Sequence, residues 1–206
     1  MNPLTTAGWR FAWEVQVLLR PFSTFARIAD DTREGPRRLA ARVALLLFVI
    51  GVAVSVLTCG RVSLHHVVGS MLAWCFAPAI QLIAASAGIH LTAKGQDLRR
   101  LLSIYSAGNG PWLLLFTLLP FALVLAPNKD AVVRIGLERG VVPVIVLSTL
   151  AFGVALTFAF HRSAIGAPRG RAAVATLIDL VIKVVLSLAW FGWMDNLVPQ
   201  LFGADR

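Results

Sequence analysis

Long apolar runs, separated by short connections rich in Arg and Lys, make up most of this 206-residue sequence. A helix needs about 20 mostly apolar residues to cross about 30 Å of hydrocarbon, and five stretches meet or approach that length. They cover residues 43–60, 62–93, 101–128, 140–161 and 172–194. The first four lack Asp, Glu, Lys and Arg, whereas the fifth contains Asp179 and Lys183. The pattern therefore predicts five transmembrane helices, at residues 40–60, 67–91, 103–126, 141–161 and 172–193.

These runs do not show the strict alternation of a membrane-spanning strand. VALLLFVIGVAVSVL in the first run and PWLLLFTLLPFALVL in the third are apolar on every side. Since only helices and closed barrels satisfy their backbone polar groups in lipid, we predict an all-α membrane protein. It is a bundle of five transmembrane helices preceded by an amphipathic interfacial helix. The predicted divisions are a cytoplasmic N-terminal segment and linker (1–38), the transmembrane domain (39–195) and a short extracytoplasmic tail (196–206).

Composition and charge agree with a membrane protein and predict its orientation. The chain is 58% hydrophobic and 14% charged, against about 45–50% and 25% in soluble domains. The N-terminal segment and the second and fourth connections carry 13 Arg and Lys, the opposite side carries 5, and Lys183 lies within a span. The positive-inside rule then places the N-terminus in the cytoplasm and the C-terminus outside. No signal peptide is apparent ahead of the first run, so a bacterial inner membrane is the expected location.

The same numbers exclude several classes of protein. Two cysteines and so much apolar sequence are not typical of a disulfide scaffold, a disordered chain or an ordinary cytosolic enzyme. The net charge of +9 follows mainly from the predicted topology. It favours anionic lipid headgroups as a partner, and we expect no nucleic-acid partner.

An amphipathic helix is predicted within residues 9–29, WRFAWEVQVLLRPFSTFARIA. Apolar residues at helical spacing form a stripe there: Phe11, Val15, Leu18, Phe22 and Phe25. Aromatic and cationic residues suited to lipid headgroups flank the stripe: Trp9, Arg10, Trp13, Arg20 and Arg27. Two placements are open, a helix in the interface and a helix packed on the cytoplasmic end of the bundle. Pro21 is expected to begin a second short helix, and residues 30–38 to form a polar linker.

Two strings in the sequence resemble a known family. VLLRPFSTFARIADD, a proline followed by a short aromatic-rich helix and a charged linker ahead of the first span, resembles the start of Yip1-domain membrane proteins. YSAGNGPWLLLFTLLP is similar to the polar, proline-bearing start of that family's third span. The resemblance extends over the layout of the whole chain and implies the five-helix fold. In eukaryotes the family is associated with small-GTPase partners and vesicle traffic; the short segment ahead of the first predicted span leads us to expect a member without the long soluble N-terminal region.

Asp179 and Lys183 lie deep in the fifth predicted span. A charged side chain at the centre of a membrane costs about 2.5–3.5 kcal/mol and marks a candidate functional site. Residues four apart share a helix face, so the two side chains can pair. Polar residues of the second and third spans lie at a similar depth or nearer the cytoplasmic surface. The predicted intramembrane polar site consists of Asp179, Lys183, Gln81, Asn109, His90 and Tyr105.

The third predicted span is irregular. In GNGPW, Pro111 removes a backbone donor and clashes with the carbonyl four residues earlier, which predicts a kink or broken turn at residues 107–110. Pro78 and Pro143 predict further bends. Broken helices line ion sites in some transporters, although proline is also tolerated in membrane helices as a packing device.

Signatures of catalysis and of metal binding are missing from the sequence. It has no G-x-S-x-G, H-E-x-x-H, C-x-x-C, P-loop or dinucleotide fingerprint. Cys59 and Cys75 are predicted at different depths, too far apart for a disulfide. Adjacent His65 and His66 without nearby carboxylates make a weak metal site. We therefore expect no enzyme, no metal and no cofactor.

Three functions are considered on this basis. The preferred one is a non-enzymatic membrane-organising, trafficking-like or scaffold component that acts through partner proteins or a homo-oligomer. The rival is a small transporter or channel subunit that uses the Asp179/Lys183 pair. The third is an enzyme acting on lipid at the cytoplasmic interface, with His90, Tyr105 or Asp179 as candidate residues, and it requires a lined cavity.

Overall fold

The computed structural model describes residues 12–125 and 140–201, and within them the chain is almost entirely helical, with no strand. In chain order the helices are α1 (Ala12–Leu19), α2 (Pro21–Asp30), α3 (Pro36–Cys59), α4 (Leu64–Ala73), α5 (Phe76–Thr92), α6 (Leu98–Ser106), α7 (Gly110–Leu125), α8 (Val141–Ala159) and α9 (Arg169–Leu201). A 3-10 turn (Ala107–Asn109) joins α6 to α7. A π-helical turn (Phe160–Ala164) follows α8. The predicted all-α class is confirmed for this part of the chain.

Four helical segments are long and apolar enough, by length and composition, to cross a membrane. They are Pro36–Cys59, Leu64–Thr92, Pro143–Ala164 and Arg169–Met194. They correspond to the first, second, fourth and fifth predicted spans and are those of an integral membrane protein. The third predicted span is divided between α6, the 3-10 turn and α7, which has 16 residues. Residue 126, where that predicted span ends, lies outside the described residues.

The interruptions within the helices lie close to prolines. The predicted break ahead of Pro111 is confirmed by the 3-10 turn at Ala107–Asn109. Pro78 has no N–H to give to the carbonyl of Trp74, and that carbonyl instead accepts from the Ala77 N–H at 3.0 Å, where α4 gives way to α5. Pro143 lies in the first turn of α8, where a proline is tolerated, and no interruption accompanies it.

The N-terminal helices α1 and α2 pack against the bundle. Val17, Phe25 and Ile28 are buried in one cluster with apolar residues of α5, α6, α8 and the π-helical turn. The predicted stripe is divided, because Phe25 is buried whereas Val15 and Phe22 are exposed. Pro21 begins α2 as predicted, so the stripe does not continue along one straight helix. Phe11 lies outside the described residues.

The predicted linker at residues 30–38 is too long. The linker was predicted to reach residue 38, but α3 already begins at Pro36, because proline suits the first turn of a helix. Glu34, within that linker, is buried rather than solvated. Helix α9 continues to Leu201, so the first residues of the predicted tail (196–206) are helical. The candidate span within α9 ends at Met194, and the division between membrane domain and tail stays a prediction.

Candidate functional site

A cavity of about 290 Å³ lies among α2, α3, α5, α8, α9 and the break between α6 and α7. Part of its wall is aromatic: Trp74, Phe76, Trp112, Phe116 and Phe191. Another part is polar: Gln81, Tyr105, Asn109, Thr157, Asp179, Lys183 and Ser187. Phe191 lies about two helical turns from Lys183 along α9, and Phe76 lies about one and a half turns from Gln81 along α5. Two further aromatic residues of the wall, Phe25 and Phe160, lie on the side of Tyr105. The cavity therefore has a polar end and an aromatic end.

Three side chains form a closed ring of hydrogen bonds at the polar end. Lys183 Nζ donates to Asp179 Oδ2 and to Tyr105 Oη, each at 2.5 Å. The Tyr105 hydroxyl donates to Asp179 Oδ1 at 3.1 Å. The pair shares one face of α9 through its spacing of four residues, and Tyr105 reaches it from α6. Asp179 is only 2% exposed, so the ring compensates a buried charge and ties two helices together.

Gln81 and Asn109 complete the polar end. Gln81 Nε2 donates to Asn109 Oδ1 at 3.1 Å. Asn109 is the last residue of the 3-10 turn, so the break ahead of Pro111 positions its amide beside α5. The other N–H groups of these two amides make no hydrogen bond to the described residues. They remain as donors at the cavity wall.

Five of the six predicted site residues line this cavity, and His90 does not. His90 is exposed near the end of α5, since the rotation of that helix turns it away from Gln81. Among the predicted interfacial anchors, Arg27 lies 5.6 Å from the centre of the Trp13 ring, and Arg20 is exposed. Trp9 and Arg10 lie outside the described residues. Cys59 and Cys75 are free thiols, and the described residues hold no cluster of metal ligands.

An ionic network at the start of α3 was missed by the sequence analysis. Arg42 donates to Glu14 Oε1 and to Glu34 Oε2, each at 2.7 Å, and to the backbone carbonyl of Ser103 at 2.7 Å. The Ser103 hydroxyl donates to Glu34 Oε2 at 2.6 Å, and Arg38 pairs with the other oxygen of Glu34. The network joins α1, the α2–α3 connection, α3 and α6.

The charge state of Glu34 follows from its partners. Burial alone raises the pKa of Glu34, but hydrogen bonds from Arg42 and Ser103 and the charge of Arg42 outweigh burial and hold the pKa below its ordinary 4.5. The pKa of Asp31 is likewise held below 3.8, because the Arg33 backbone N–H and the Arg38 guanidinium outweigh burial. Both carboxylates are therefore ionised in the folded protein at neutral pH.

His161, in the π-helical turn, is a second polar residue that the sequence analysis missed. It is fully buried, and its Nδ1 lies 3.1 Å from the Thr92 hydroxyl, which is 2.9 Å from the Gly88 carbonyl. Its Nε2 has no partner among the described residues. Gly88 makes room for the ring, since a Cβ at that position would lie 3.0 Å from Nε2.

Comparison of the chain with protein-family models, with curated proteins and with solved structures finds no match in any of the three. The class that the fold and the site define is an all-helical membrane protein with a polar and aromatic cavity among its helices.

Proposed function

We propose that this chain is a five-span protein of a bacterial inner membrane that works as a small transporter or channel subunit. The cavity carries the proposal. An ion pair that served only to hold helices together would need no access to a cavity. Here the Lys183 side chain is 26% exposed, against 3% for Asp179 behind it, and both line the cavity. A charged side chain that lies among apolar helices but can be reached from a cavity is expected where a solute or ion passes.

The broken helix at the position of the third predicted span supports the proposal of five crossings. Residues 98–125, which comprise α6, the 3-10 turn and α7, measure about 40 Å at about 1.5 Å per residue, enough to cross about 30 Å of hydrocarbon. Irregular backbone within a membrane is tolerated where it lines a cavity, and Asn109 does so. The proposed orientation keeps the N-terminus in the cytoplasm, as the distribution of Arg and Lys predicts.

The N-terminal helices are proposed to contact anionic phospholipid. They are docked on the bundle through one side, and Val15, Leu19 and Phe22 are exposed on the rest of their surface. Arg20 is exposed beside them. Apolar side chains next to arginine suit the boundary between headgroups and acyl chains.

Solute flux into vesicles that contain the purified protein tests the proposed transport activity. Vesicles with a trapped pH-sensitive dye are exposed to a panel of small cations, anions, amines and organic acids, and both dye signal and osmotic swelling are recorded. Wild-type protein should give solute-dependent signals that protein-free vesicles lack. The double variant Asp179→Asn/Lys183→Met should lose them, and Thr117→Val should keep them, because Thr117 is exposed on α7 and bonds only to its own helix.

A second candidate is the membrane-organising scaffold that the Yip1 resemblance implies. One observation favours it: both oxygens of Asp179 are already paired within the chain, as a purely structural cluster requires. Gentle solubilisation followed by identification of co-purifying proteins distinguishes a scaffold from a transporter. A scaffold should retain a partner and show no flux, and the double variant should lose that partner or its own assembly.

A further inference from the structure

We infer that the cavity takes a small amphipathic carboxylate, and that Asp179 takes up a proton when this carboxylate replaces it beside Lys183. The inference rests on the proposed function, because it names the solute of the same cavity. Binding is then electroneutral, because one proton enters the cavity with each anion.

The unused hydrogen-bond donors at the polar end of the cavity indicate the chemistry of the solute's head group. Lys183 has three N–H groups, of which two are used by Asp179 and Tyr105. The Asn109 amide nitrogen and one N–H of Gln81 are also without acceptors among the described residues. Both oxygens of Asp179 are occupied, and the Thr157 hydroxyl donates to its own helix. The acceptors at this end that bond to none of the described residues, Gln81 Oε1 and the Ser187 hydroxyl, are uncharged, whereas the spare donors include the cationic Lys183. Such a site favours an oxygen-rich anion over an ammonium head.

The aromatic end of the cavity indicates the chemistry of the rest of the solute. Aromatic side chains from α7 and α9 and from the α4–α5 span form that wall, and Phe76 is itself packed against Phe191. An apolar or aromatic body is favoured by such a wall. A volume of about 290 Å³ lies at the lower end of the range for small-molecule sites, about 300–1,000 Å³, so the solute is small.

Charge balance then requires the proton. Asp179 and Lys183 together are neutral, and an added carboxylate would leave one negative charge among apolar helices, which is costly. If Asp179 gains a proton, an O–H bond forms at its carboxyl and Lys183 has the solute as its single counterion. The charged or titratable groups bonded to Asp179 are Lys183 on its own helix and Tyr105 on α6. His161 on the π-helical turn lies close enough to Lys183 to feel its charge. Helices α5 and α8 bring no charged side chain to the cavity.

Isothermal titration calorimetry of the purified full chain in nanodiscs tests both parts. The probes are phenylacetate and octanoate, which represent aromatic and aliphatic acids, with methyl phenylacetate and phenethylamine as uncharged and cationic counterparts. At least one carboxylate should bind about tenfold or more tightly than the ester and the amine. Titrations in buffers of different ionisation enthalpy should report an uptake approaching one proton per carboxylate at neutral pH.

Variants of Asp179 and Lys183 test which residue takes up the proton and which binds the carboxylate. Asp179→Asn should keep carboxylate binding and lose the proton uptake, because Lys183 is then free of its counterion. The double variant Asp179→Asn/Lys183→Met, which leaves no unpaired charge, should lose binding about tenfold or more. Thr117→Val, outside the cavity, should match wild type, and thermal unfolding of each variant verifies that it is folded.

Three outcomes would overturn the inference: tighter binding of phenethylamine, carboxylate binding without proton uptake by wild type, or no carboxylate binding by either wild type or Asp179→Asn. None of these decides the proposed function, since the flux panel includes solutes of every charge. Flux of another solute together with a failed carboxylate titration would leave a transporter with a different substrate. Absence of all flux, with carboxylate binding intact, would leave a binding protein.

Discussion

A single side chain decides whether the charge at the polar end of the cavity is compensated. Lys183→Met leaves Asp179, which is 2% exposed, with the Tyr105 hydroxyl as its one remaining partner. Removing one member of a buried ion pair costs about 3–5 kcal/mol, whereas removing both is much less costly. We therefore expect Lys183→Met to lower the free energy of unfolding by that amount, and Asp179→Asn/Lys183→Met to recover most of it.

Denaturant unfolding in detergent micelles, followed as a double-mutant cycle, measures this coupling. Ser187→Ala serves as the control, since Ser187 lines the same cavity on α9 and carries no charge. Additive effects of the two single substitutions would contradict a paired role for the residues.

How far the site can be predicted also depends on single residues. Counting residues along each span gives depth, and depth alone brought Gln81, Asn109 and Asp179 to one level. It ignores the face of the helix on which each residue lies. His90 and Gln81 are nine residues apart on α5, which puts them on opposite faces, so depth alone wrongly groups His90 with the site. His161 was missed because a helix with a π-helical turn departs from the regular period. Glu14, Glu34 and Arg42 were missed because their contacts join residues as far apart as 69 positions in sequence, and no local pattern records such a contact.

At the scale of helices, α3 and α4 meet at a glycine. A Cβ at Gly51 would lie 2.7 Å from the backbone carbonyl of Val67, so the two helices would have to separate. We expect Gly51→Ala to destabilise the protein by about 1–3 kcal/mol, as overpacking of a core does. Gly69→Ala on α4 is the matched control, because no atom lies within 4 Å of its Cβ position. Thermal unfolding of the two variants tests the contact, and equal melting temperatures would contradict it.

The ionic network predicts how the docking of α1 and α2 depends on pH. The pKa of Glu34 in the folded protein lies below its ordinary 4.5, so its stabilising contribution is complete above that value. The contribution is lost as the pH falls below 4.5 through the pKa of the folded state. We expect the stability of wild type to decline in this window, measured by thermal unfolding across a pH series.

Glu34→Gln should be less stable than wild type at neutral pH and should show a shallower acid decline. Asp30→Asn is the control, because Asp30 is exposed at the end of α2. If Asp30→Asn changed the acid decline as strongly as Glu34→Gln, the decline would reflect general surface charge and not this network.

For the whole molecule, the balance of Arg and Lys predicts which connections face the cytoplasm. Exposed positions are available on both sides, Arg61 between α3 and α4 and Gln96 between α5 and α6. In a Cys59→Ser/Cys75→Ser background, Arg61→Cys should react with a membrane-impermeant maleimide in intact spheroplasts. Gln96→Cys should react only after permeabilisation. The opposite result would reverse the proposed orientation, and labelling of both in intact cells would place these two connections on the same outer side.

The helical class of the molecule could be predicted from sequence far better than its N-terminal region. Apolar runs of about 20 residues have few alternatives in lipid, and four of the five recur as helices of sufficient length. Residues 9–29 have amphipathic character that suits either lipid or protein. Their docking depends on tertiary partners such as Phe160, which contacts Phe25 at a ring-centre distance of 5.8 Å.

The contacts of Arg42 also constrain the order in which the protein is made. Arg42 belongs to the start of the first span, yet one of its acceptors is the carbonyl of Ser103, 61 residues later. During synthesis, the first two spans leave the ribosome before that acceptor exists. The guanidinium then has to wait at the membrane surface with Glu14 and Glu34, and the N-terminal helices close over the bundle only after α6 arrives. Because Phe25 of α2 also packs on Phe160, which follows α8, we expect the N-terminal helices to complete their packing only when most of the chain has been made.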